Sequence, residues 1–180
     1  MSAADILAAC QTPGAPPFLV AGGFAVIAHG HPRTTFDLDL AVRRSDREAW
    51  TSRFLALGYQ LFHEQSAFIQ LHPPAGGLSV DLLLLNDHTF ASLFEQSAST
   101  EWGGIAARMV CLDHLLAMKL HTLKHGPPHR YMRDMDDVLG LLARHKLVLE
   151  SEPCRDLFLK YGNHEIYEFI RRELHRRQAG

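Results

Sequence analysis

The stretch GGFAVIAHGHPRTTFDLD, residues 22–39, decides the fold of this chain. It begins with a glycine pair, Gly22 and Gly23, after a short apolar run, and it ends with two carboxylates, Asp37 and Asp39, one residue apart. Side chains of a β-strand alternate between its two faces. A strand at the end of this stretch therefore points both carboxylates to one face.

The opposite face of that strand is apolar. Phe36, Leu38 and Leu40 alternate with the two aspartates, and the alternation predicts that all three pack inward. A second apolar strand, SVDLLLL, contains Asp81 as its one charge. Because an isolated carboxylate is seldom buried without a cation or a hydrogen-bond donor, we expect Asp81 to lie on the face of the aspartate pair.

Three carboxylates on one face predict a metal site. Like charges held side by side repel one another unless a cation lies between them, and Mg²⁺ takes oxygen ligands. The alternative is a sheet with one face in water, on which the aspartates are merely solvated. A third acid within an apolar strand favours the metal site, because a solvated face does not need one.

The glycine pair predicts a turn from a strand into a helix. Such a turn can present backbone N–H groups and the positive end of the helix dipole to an anion. A tight turn that only needs positive φ would use the same two glycines. The pattern leaves both interpretations open.

The composition is that of an ordinary globular protein. The chain has 180 residues, of which 47% are hydrophobic and 21% charged, so it can bury one core. The formal net charge of −2 does not by itself indicate a nucleic-acid partner. Residues 1–118 contain six basic and eleven acidic residues, a balance of −5, whereas residues 119–180 contain twelve and nine, a balance of +3. The acidic part suits a metal, and the basic part suits phosphates.

Cysteine usage and hydropathy indicate a cytoplasmic protein. Cys10, Cys111 and Cys154 are odd in number, far apart and without a CxxC pair, which indicates neither a disulfide framework nor a cysteine zinc site. The longest apolar run, residues 18–28, is shorter than the about 20 residues that span a bilayer. We therefore expect no membrane partner.

Three histidines, at positions 121, 125 and 129, recur every four residues. On one continuous helix this spacing would align them for a transition metal. A Gly-Pro-Pro break before the third histidine interrupts the helix, so we interpret the spacing as chance.

Local signals mark the boundaries of several elements. Ser45 and Glu48 match a capping box at the start of a helix. Residues 101–110 suit one strand, in which Gly103 and Gly104 indicate a bulge.

The order of the elements predicts an α+β fold. Helical periodicity is strong over residues 112–124. Further helices are predicted at about 129–145, 153–161 and 163–177. We expect a single compact protein in which a core of residues 1–110 carries a helical C-terminal region, residues 111–180, packed on it.

The ordered set of motifs resembles the nucleotidyltransferase superfamily, and most closely its small bacterial AbiEii-like branch, whose members include toxins of toxin–antitoxin systems. The resemblance covers about residues 18–142 and depends on the order of the pieces, because each piece alone is a weak signal. The pieces are Gly22-Gly23, Arg33-x-Thr35-x-Asp37-x-Asp39, Asp81, Lys119, and Arg133-Asp134 with Asp137. The resemblance implies a mixed β-sheet, flanked by helices, that holds three acidic residues on adjacent strands.

The resemblance also implies that a nucleoside monophosphate is transferred from a nucleoside triphosphate to an acceptor, with release of pyrophosphate. In the implied mechanism Asp37 and Asp39 bind two Mg²⁺ ions, for which Mn²⁺ is an alternative. Asp81 would bind the ion nearer the acceptor and take the acceptor's proton. Such two-metal sites stabilise the attacking and the leaving oxygen together.

A phosphate-binding set around the glycine pair is implied as well. Gly22 and Gly23 would let the backbone approach the β and γ phosphates, and Thr35 belongs to the same set. Arg33 and Lys119 would neutralise the departing pyrophosphate. The alternatives are an Arg33 that is only solvated and a Lys119 that snorkels from an apolar face.

Arg133 is the last implied nucleotide-binding residue. With Asp134 and Asp137 it would form an ion network on a helix face that fixes the site. For Asp137 the helical spacing favours the alternative, an exposed pair with little energetic effect.

Three functions fit this chemistry. The acceptor is a macromolecule, either a tRNA end or a protein side chain, and arginines in the last predicted helix suit an RNA backbone unless the interleaved glutamates make it a solvated face. Alternatively, the acceptor is a small hydroxylated molecule such as an antibiotic. In the third function a catalytically weak nucleotide-binding protein acts through a partner, such as an antitoxin. Phe24 motivates it, because many members have a serine there that touches a triphosphate oxygen.

Overall fold

The computed structural model describes residues 1–74 and 76–178, which divide into two compact units. The first unit is formed by Met1–Ala28 and Arg33–Cys111. The second is formed by His29–Pro32 and the chain from Leu112 onward. The sequence places a boundary after residue 110, one residue before this division, but it does not predict that His29–Pro32 belongs with the later helices.

In its described residues the first unit contains one seven-stranded sheet and four α-helices. The strands are β1 (Phe18–Val20), β2 (Asp37–Arg43), β3 (Gln60–Gln65), β4 (Phe68–His72), β5 (Ser79–Leu85), β6 (Ala98–Trp102) and β7 (Ile105–Met109). The helices are α1 (Ala3–Cys10), α2 (Gly22–Ala28), α3 (Arg47–Ala56) and α4 (Asp87–Glu95). The predicted α+β class is confirmed.

The sheet is mixed, with the strand order β3-β4-β5-β2-β1-β7-β6. The pairs β2/β5 and β1/β7 are parallel, and the other four pairs are antiparallel. The two strands that carry the aspartates are therefore neighbours at the centre of the sheet.

The hydrophobic core lies under α1 and α3. Leu38, Leu40 and their apolar neighbours on β5 are fully or almost fully buried, as the alternation predicts. They pack in one cluster with Trp50 and Phe54 of α3 and with Ile6 of α1. Each large side chain buried in this way stabilises the fold by about 1.5–3 kcal/mol, so this cluster fixes which face of β2 and β5 is left for the acids.

Phe36 does not pack inward as predicted. Its side chain is 79% exposed, because β2 begins only at Asp37 and the alternation of the strand does not extend to the preceding residue.

The expected strand 101–110 is two strands. Gly103 and Gly104 have φ values of +55° and +85° and turn the chain between β6 and β7, which pair antiparallel. Positive φ at both central residues is the geometry of a tight hairpin turn, not of a bulge.

The expected capping box before α3 is also wrong. A 3₁₀ turn, Arg44–Asp46, precedes the helix, and no side chain caps its N-terminus. The Ser45 hydroxyl instead donates to Asp87 Oδ1 at 2.9 Å. A tertiary hydrogen bond has replaced the local one.

The second unit is helical in its described residues. Its helices are α5 (Leu112–His125), α6 (Tyr131–His145), α7 (Glu152–Tyr161) and α8 (His164–Gln178), with a 3₁₀ turn at Pro128–Arg130. His31 packs against Gly140 in the middle of α6, where a Cβ would lie 2.2 Å from His31 Nδ1. The imidazole also contacts Asp136, with 3.3 Å between Nε2 and Oδ2. The glycine thus makes room for a segment from far earlier in the chain.

The described helices include none that is both long and apolar enough to cross a membrane. All three cysteines are in the reduced, thiol form. Burial raises the pKa of Cys10 to about 12 and that of Cys154 to about 11, so neither thiol forms a reactive thiolate near neutral pH.

Candidate active site

The parallel pair β2/β5 brings Asp39 and Asp81 together. The two residues are Cα partners in the ladder, and directly paired residues point to the same face of a sheet. Their exposed fractions are only 8% and 6%. Asp37, two residues before Asp39, lies on the same face and pairs with Ser79. Two buried carboxylates that are paired directly across adjacent strands form the centre of the candidate site.

The turn between β1 and α2 is built around Asp39. The Ala21 N–H donates to the Asp39 carbonyl oxygen at 2.9 Å, and the Gly23 N–H donates to Oδ2 at 3.4 Å. Gly22 adopts φ +54°, and a Cβ on it would lie 1.7 Å from Asp39 Oδ2. No larger residue fits at position 22 while the carboxylate keeps its place.

Gly22→Ala is expected to lower the free energy of unfolding by about 3 kcal/mol. A left-handed φ costs alanine about 1–2 kcal/mol, and the overlap with Asp39 adds about 1–3 kcal/mol. Gly14→Ala is the matched control, because Gly14 has φ +81° but no atom within 4 Å of its Cβ position. Urea unfolding measures both variants. Equal losses would show that Asp39 does not depend on the glycine.

Gly23 has a packing role of its own. A Cβ on Gly23 would lie 2.5 Å from Thr35 Oγ1 and 3.1 Å from a guanidinium nitrogen of Arg33. The Thr35 hydroxyl donates to Asp37 Oδ1 at 2.7 Å. These contacts explain both glycines by close packing around the acids. The role of the pair in approaching phosphates stays a prediction.

The donor set suits a hard divalent cation, because it consists of carboxylate oxygens. The predicted cage of three carboxylates is nevertheless not formed: among residues 1–74 and 76–178, no group of three or more His, Cys, Asp or Glu side chains is arranged to hold a metal ion. The register gathers Asp39 and Asp81, whereas the Asp37 carboxylate accepts a hydrogen bond from Thr35. The pair is thus the part of the donor set that fits a cation by position as well as by chemistry.

Phe24 is a packing residue. Its ring meets that of Trp102 edge to face, with centroids 5.5 Å apart and planes at 72°, and it lies against the main hydrophobic cluster. The position at which many nucleotidyltransferases use a serine hydroxyl is here occupied by an apolar contact.

Lys119 belongs to the helical unit and does not snorkel. It is 4% exposed, and its Nζ lies 2.6 Å from Asp134 Oδ1 and 2.7 Å from Asp137 Oδ2. A buried lysine between two buried aspartates links α5 to α6. This pairing gives Lys119 a structural role within its own unit, and its predicted contact with pyrophosphate stays a prediction.

The ion pairs observed on α6 involve different residues from those predicted. Asp137 is 1% exposed and pairs with Lys119, so the interpretation as an exposed pair is wrong. The arginine that contacts Asp134 is Arg130, at 3.5 Å, whereas Arg133 is exposed. Arg130 lies four residues before Asp134, a spacing from which this contact could have been predicted.

The arginines of α8 are paired in part. Arg171 contacts Glu168 at 2.7 Å, and Arg176 contacts Glu173 at 2.6 Å. These pairs one helical turn apart are typical of a solvated helix face, which was the alternative to an RNA-binding surface.

No family model matches the chain, and no curated protein matches its sequence. Solved structures match its fold. The match to the solution structure of the antibiotic-resistance factor ANT(2'')-Ia covers 95% of this chain and 94% of the ANT(2'')-Ia chain, with a TM-score of 0.65 and 17% sequence identity. A crystal structure of ANT(2'')-Ia in complex with adenylyl-2''-tobramycin covers 87% and 92%, with a TM-score of 0.64 and 18% identity. A candidate nucleotidyltransferase from Thermotoga maritima covers 64% and 79%, with a TM-score of 0.50 and 15% identity.

At these identities the similarity establishes a nucleotidyltransferase-like fold. The narrower AbiEii-like branch stays a prediction.

Proposed function

We propose that this chain, which has a nucleotidyltransferase-like fold, transfers a nucleoside monophosphate from a nucleoside triphosphate to a hydroxyl acceptor. The observation that carries the proposal is the register of Asp39 with Asp81, which places two buried carboxylates side by side at the centre of the sheet. Burying two like charges together is costly. The pair therefore destabilises the fold unless a bound cation compensates for the repulsion, which supports a functional role.

The residues of the sheet unit have distinct roles in the proposed reaction. The acceptor oxygen forms a bond to the α-phosphorus, the bond from that phosphorus to the pyrophosphate oxygen breaks, and the acceptor proton passes to a carboxylate oxygen of Asp81. Asp39 and Asp81 would hold Mg²⁺ or Mn²⁺, which when bound neutralises charge on the phosphates. Asp37 would join them as a third ligand only if its carboxylate turned from the Thr35 hydroxyl toward the ion. Gly22 leaves room for the Asp39 carboxylate, and a guanidinium nitrogen of Arg33 lies 3.1 Å from where a Cβ on Gly23 would be.

Two classes of acceptor follow. One is a macromolecule, a tRNA or a protein, as expected of a toxin held by an antitoxin. The second is a small hydroxylated molecule, and the fold shared with the antibiotic-resistance factor ANT(2'')-Ia supports it in part.

The deciding experiment incubates the protein with Mg²⁺, each of the four labelled triphosphates, and tRNA, a cell extract or tobramycin as acceptor. We expect label to move to one acceptor with release of pyrophosphate. Binding of triphosphate without transfer to any acceptor would contradict the enzyme and favour the nucleotide-binding protein that acts through a partner.

A further inference from the structure

A row of polar residues crosses the sheet beyond the acid pair. Asp81 on β5 is the Cα partner of Gln70 on β4, and Gln70 is the partner of His63 on β3. Directly paired residues share a face, so Asp39, Asp81, Gln70 and His63 form one row. At about 4.8 Å from strand to strand, the row is about 14 Å long.

Burial decreases along this row. Asp39 and Asp81 are buried, Gln70 is half-buried, and His63 on the edge strand is exposed. The row therefore connects the buried carboxylates with solvent at the β3 edge. A ligand that reaches Asp81 from this edge passes Gln70 first.

An aromatic surface lies at the open end of the row. Phe62, where the register of β3 shifts, is 63% exposed. Its ring stacks on His72, with centroids 3.9 Å apart and planes at 12°. The exposed part of such a ring attracts ammonium groups through its quadrupole and packs against apolar ring faces of a ligand.

The charge of this region selects the kind of ligand. The strands β3, β4 and β5 contain no lysine or arginine, and their two acidic residues are Glu64 and Asp81. A polyanion such as RNA needs cations against its phosphates. A small molecule with protonated amines instead meets carboxylates, an imidazole, an amide and an aromatic ring.

We propose that the row Asp81, Gln70 and His63, with Phe62, is the acceptor surface and that it takes a small polyhydroxylated molecule bearing protonated amines. The proposal rests on the nucleotidyl transfer proposed above and names its acceptor. The reacting hydroxyl lies at Asp81. The Gln70 amide, which can both donate and accept, bonds the next polar group of the acceptor. Gln70 and His63 set specificity.

Binding is tested without turnover by isothermal titration calorimetry in the absence of nucleotide. The probes are tobramycin as an aminated sugar, maltotriose as an uncharged one and tRNA as a polyanion. The variants are Gln70→Leu and Gln70→Lys. Gln96→Leu and Gln96→Lys are the matched controls, because Gln96 is an exposed glutamine that follows α4 and belongs to no strand of the row.

We expect tobramycin to bind, and its affinity to fall about tenfold in Gln70→Leu, the loss of one hydrogen bond. In Gln70→Lys the fall should be larger for tobramycin than for maltotriose, because only the aminated sugar is repelled. The Gln96 variants should stay within about twofold of the unchanged protein. The proposal would be overturned if tobramycin bound equally well to the Gln70 variants, or if it did not bind at millimolar concentration. Binding of tRNA that depends on Gln70 would overturn it as well.

The two proposals fail in different ways. If tobramycin binding depends on Gln70 but no label is transferred, the proposed enzyme activity is wrong and the proposed binding surface stands. If label is transferred and the KM for the acceptor is unchanged in Gln70→Leu, the proposed binding surface is wrong and the proposed enzyme activity stands.

Discussion

Asp39→Asn is expected to reduce nucleotidyl transfer by about 1,000-fold while the protein keeps its fold. The substitution preserves shape and still accepts a hydrogen bond, but it removes the charge at the position paired with Asp81. Losing a single preorganised group in a buried reaction centre costs about 100-fold to 1,000-fold, and a charged ligand of a catalytic cation is at the upper end of that range. Steady-state transfer of labelled nucleotide measures the effect.

Stability is expected to behave in the opposite way. Removing one of two neighbouring buried carboxylates relieves their repulsion, so the melting temperature of Asp39→Asn should equal or exceed that of the unchanged protein. Asp156→Asn, an exposed aspartate of α7, is the control for both measurements. A variant at position 39 that keeps a tenth of the activity would contradict the assignment of the acid pair.

Lys119→Met is expected to lower the free energy of unfolding by about 3–5 kcal/mol, because methionine fills the space but removes the cation that Asp134 and Asp137 both contact. Burying carboxylates costs far more once that charge is gone. Chemical denaturation followed by circular dichroism measures the loss.

Lys124→Met is the control for this variant, since Lys124 is an exposed lysine on the same helix, where substitution costs at most about 0.5 kcal/mol. Adding Asp137→Asn to Lys119→Met should recover part of the stability by removing one buried charge. Equal stability of the two lysine variants would show that the buried ion pairs contribute nothing to the fold.

The carboxylate centre could be predicted from sequence because its signal is local. Alternation places Asp37 and Asp39 on one face, and an acid in an apolar strand needs a reason for burial. The sequence also identifies the two strands, and the resemblance predicts that they are neighbours. Their register, which pairs Asp81 with Asp39 and not with Asp37, follows from packing of the whole sheet.

Other features depend on distant contacts that a local pattern does not contain. The sequence pattern of two amphipathic helices predicts Lys119 and Asp137 to be surface charges. Only the packing of α5 on α6 buries them together. The reason for Gly23 is likewise its proximity to Thr35 and Arg33, which no spacing rule predicts.

The position of Phe36 is a third case. Alternation assigns its face correctly only if the strand includes it, and strand ends are set by pairing partners. The prediction therefore extended a valid rule one residue beyond the element to which it applies.

The assignment of His29–Pro32 to the helical unit has a consequence for biosynthesis. His31 is bonded to a residue 105 positions later, so this short segment leaves the ribosome long before the helix that receives it. The nascent sheet unit must fold around a loop whose partner has not yet been translated. A chain released after Cys111 would keep this loop and lack its docking helix, so the two units cannot be separated by a single cut without leaving a piece of one in the other.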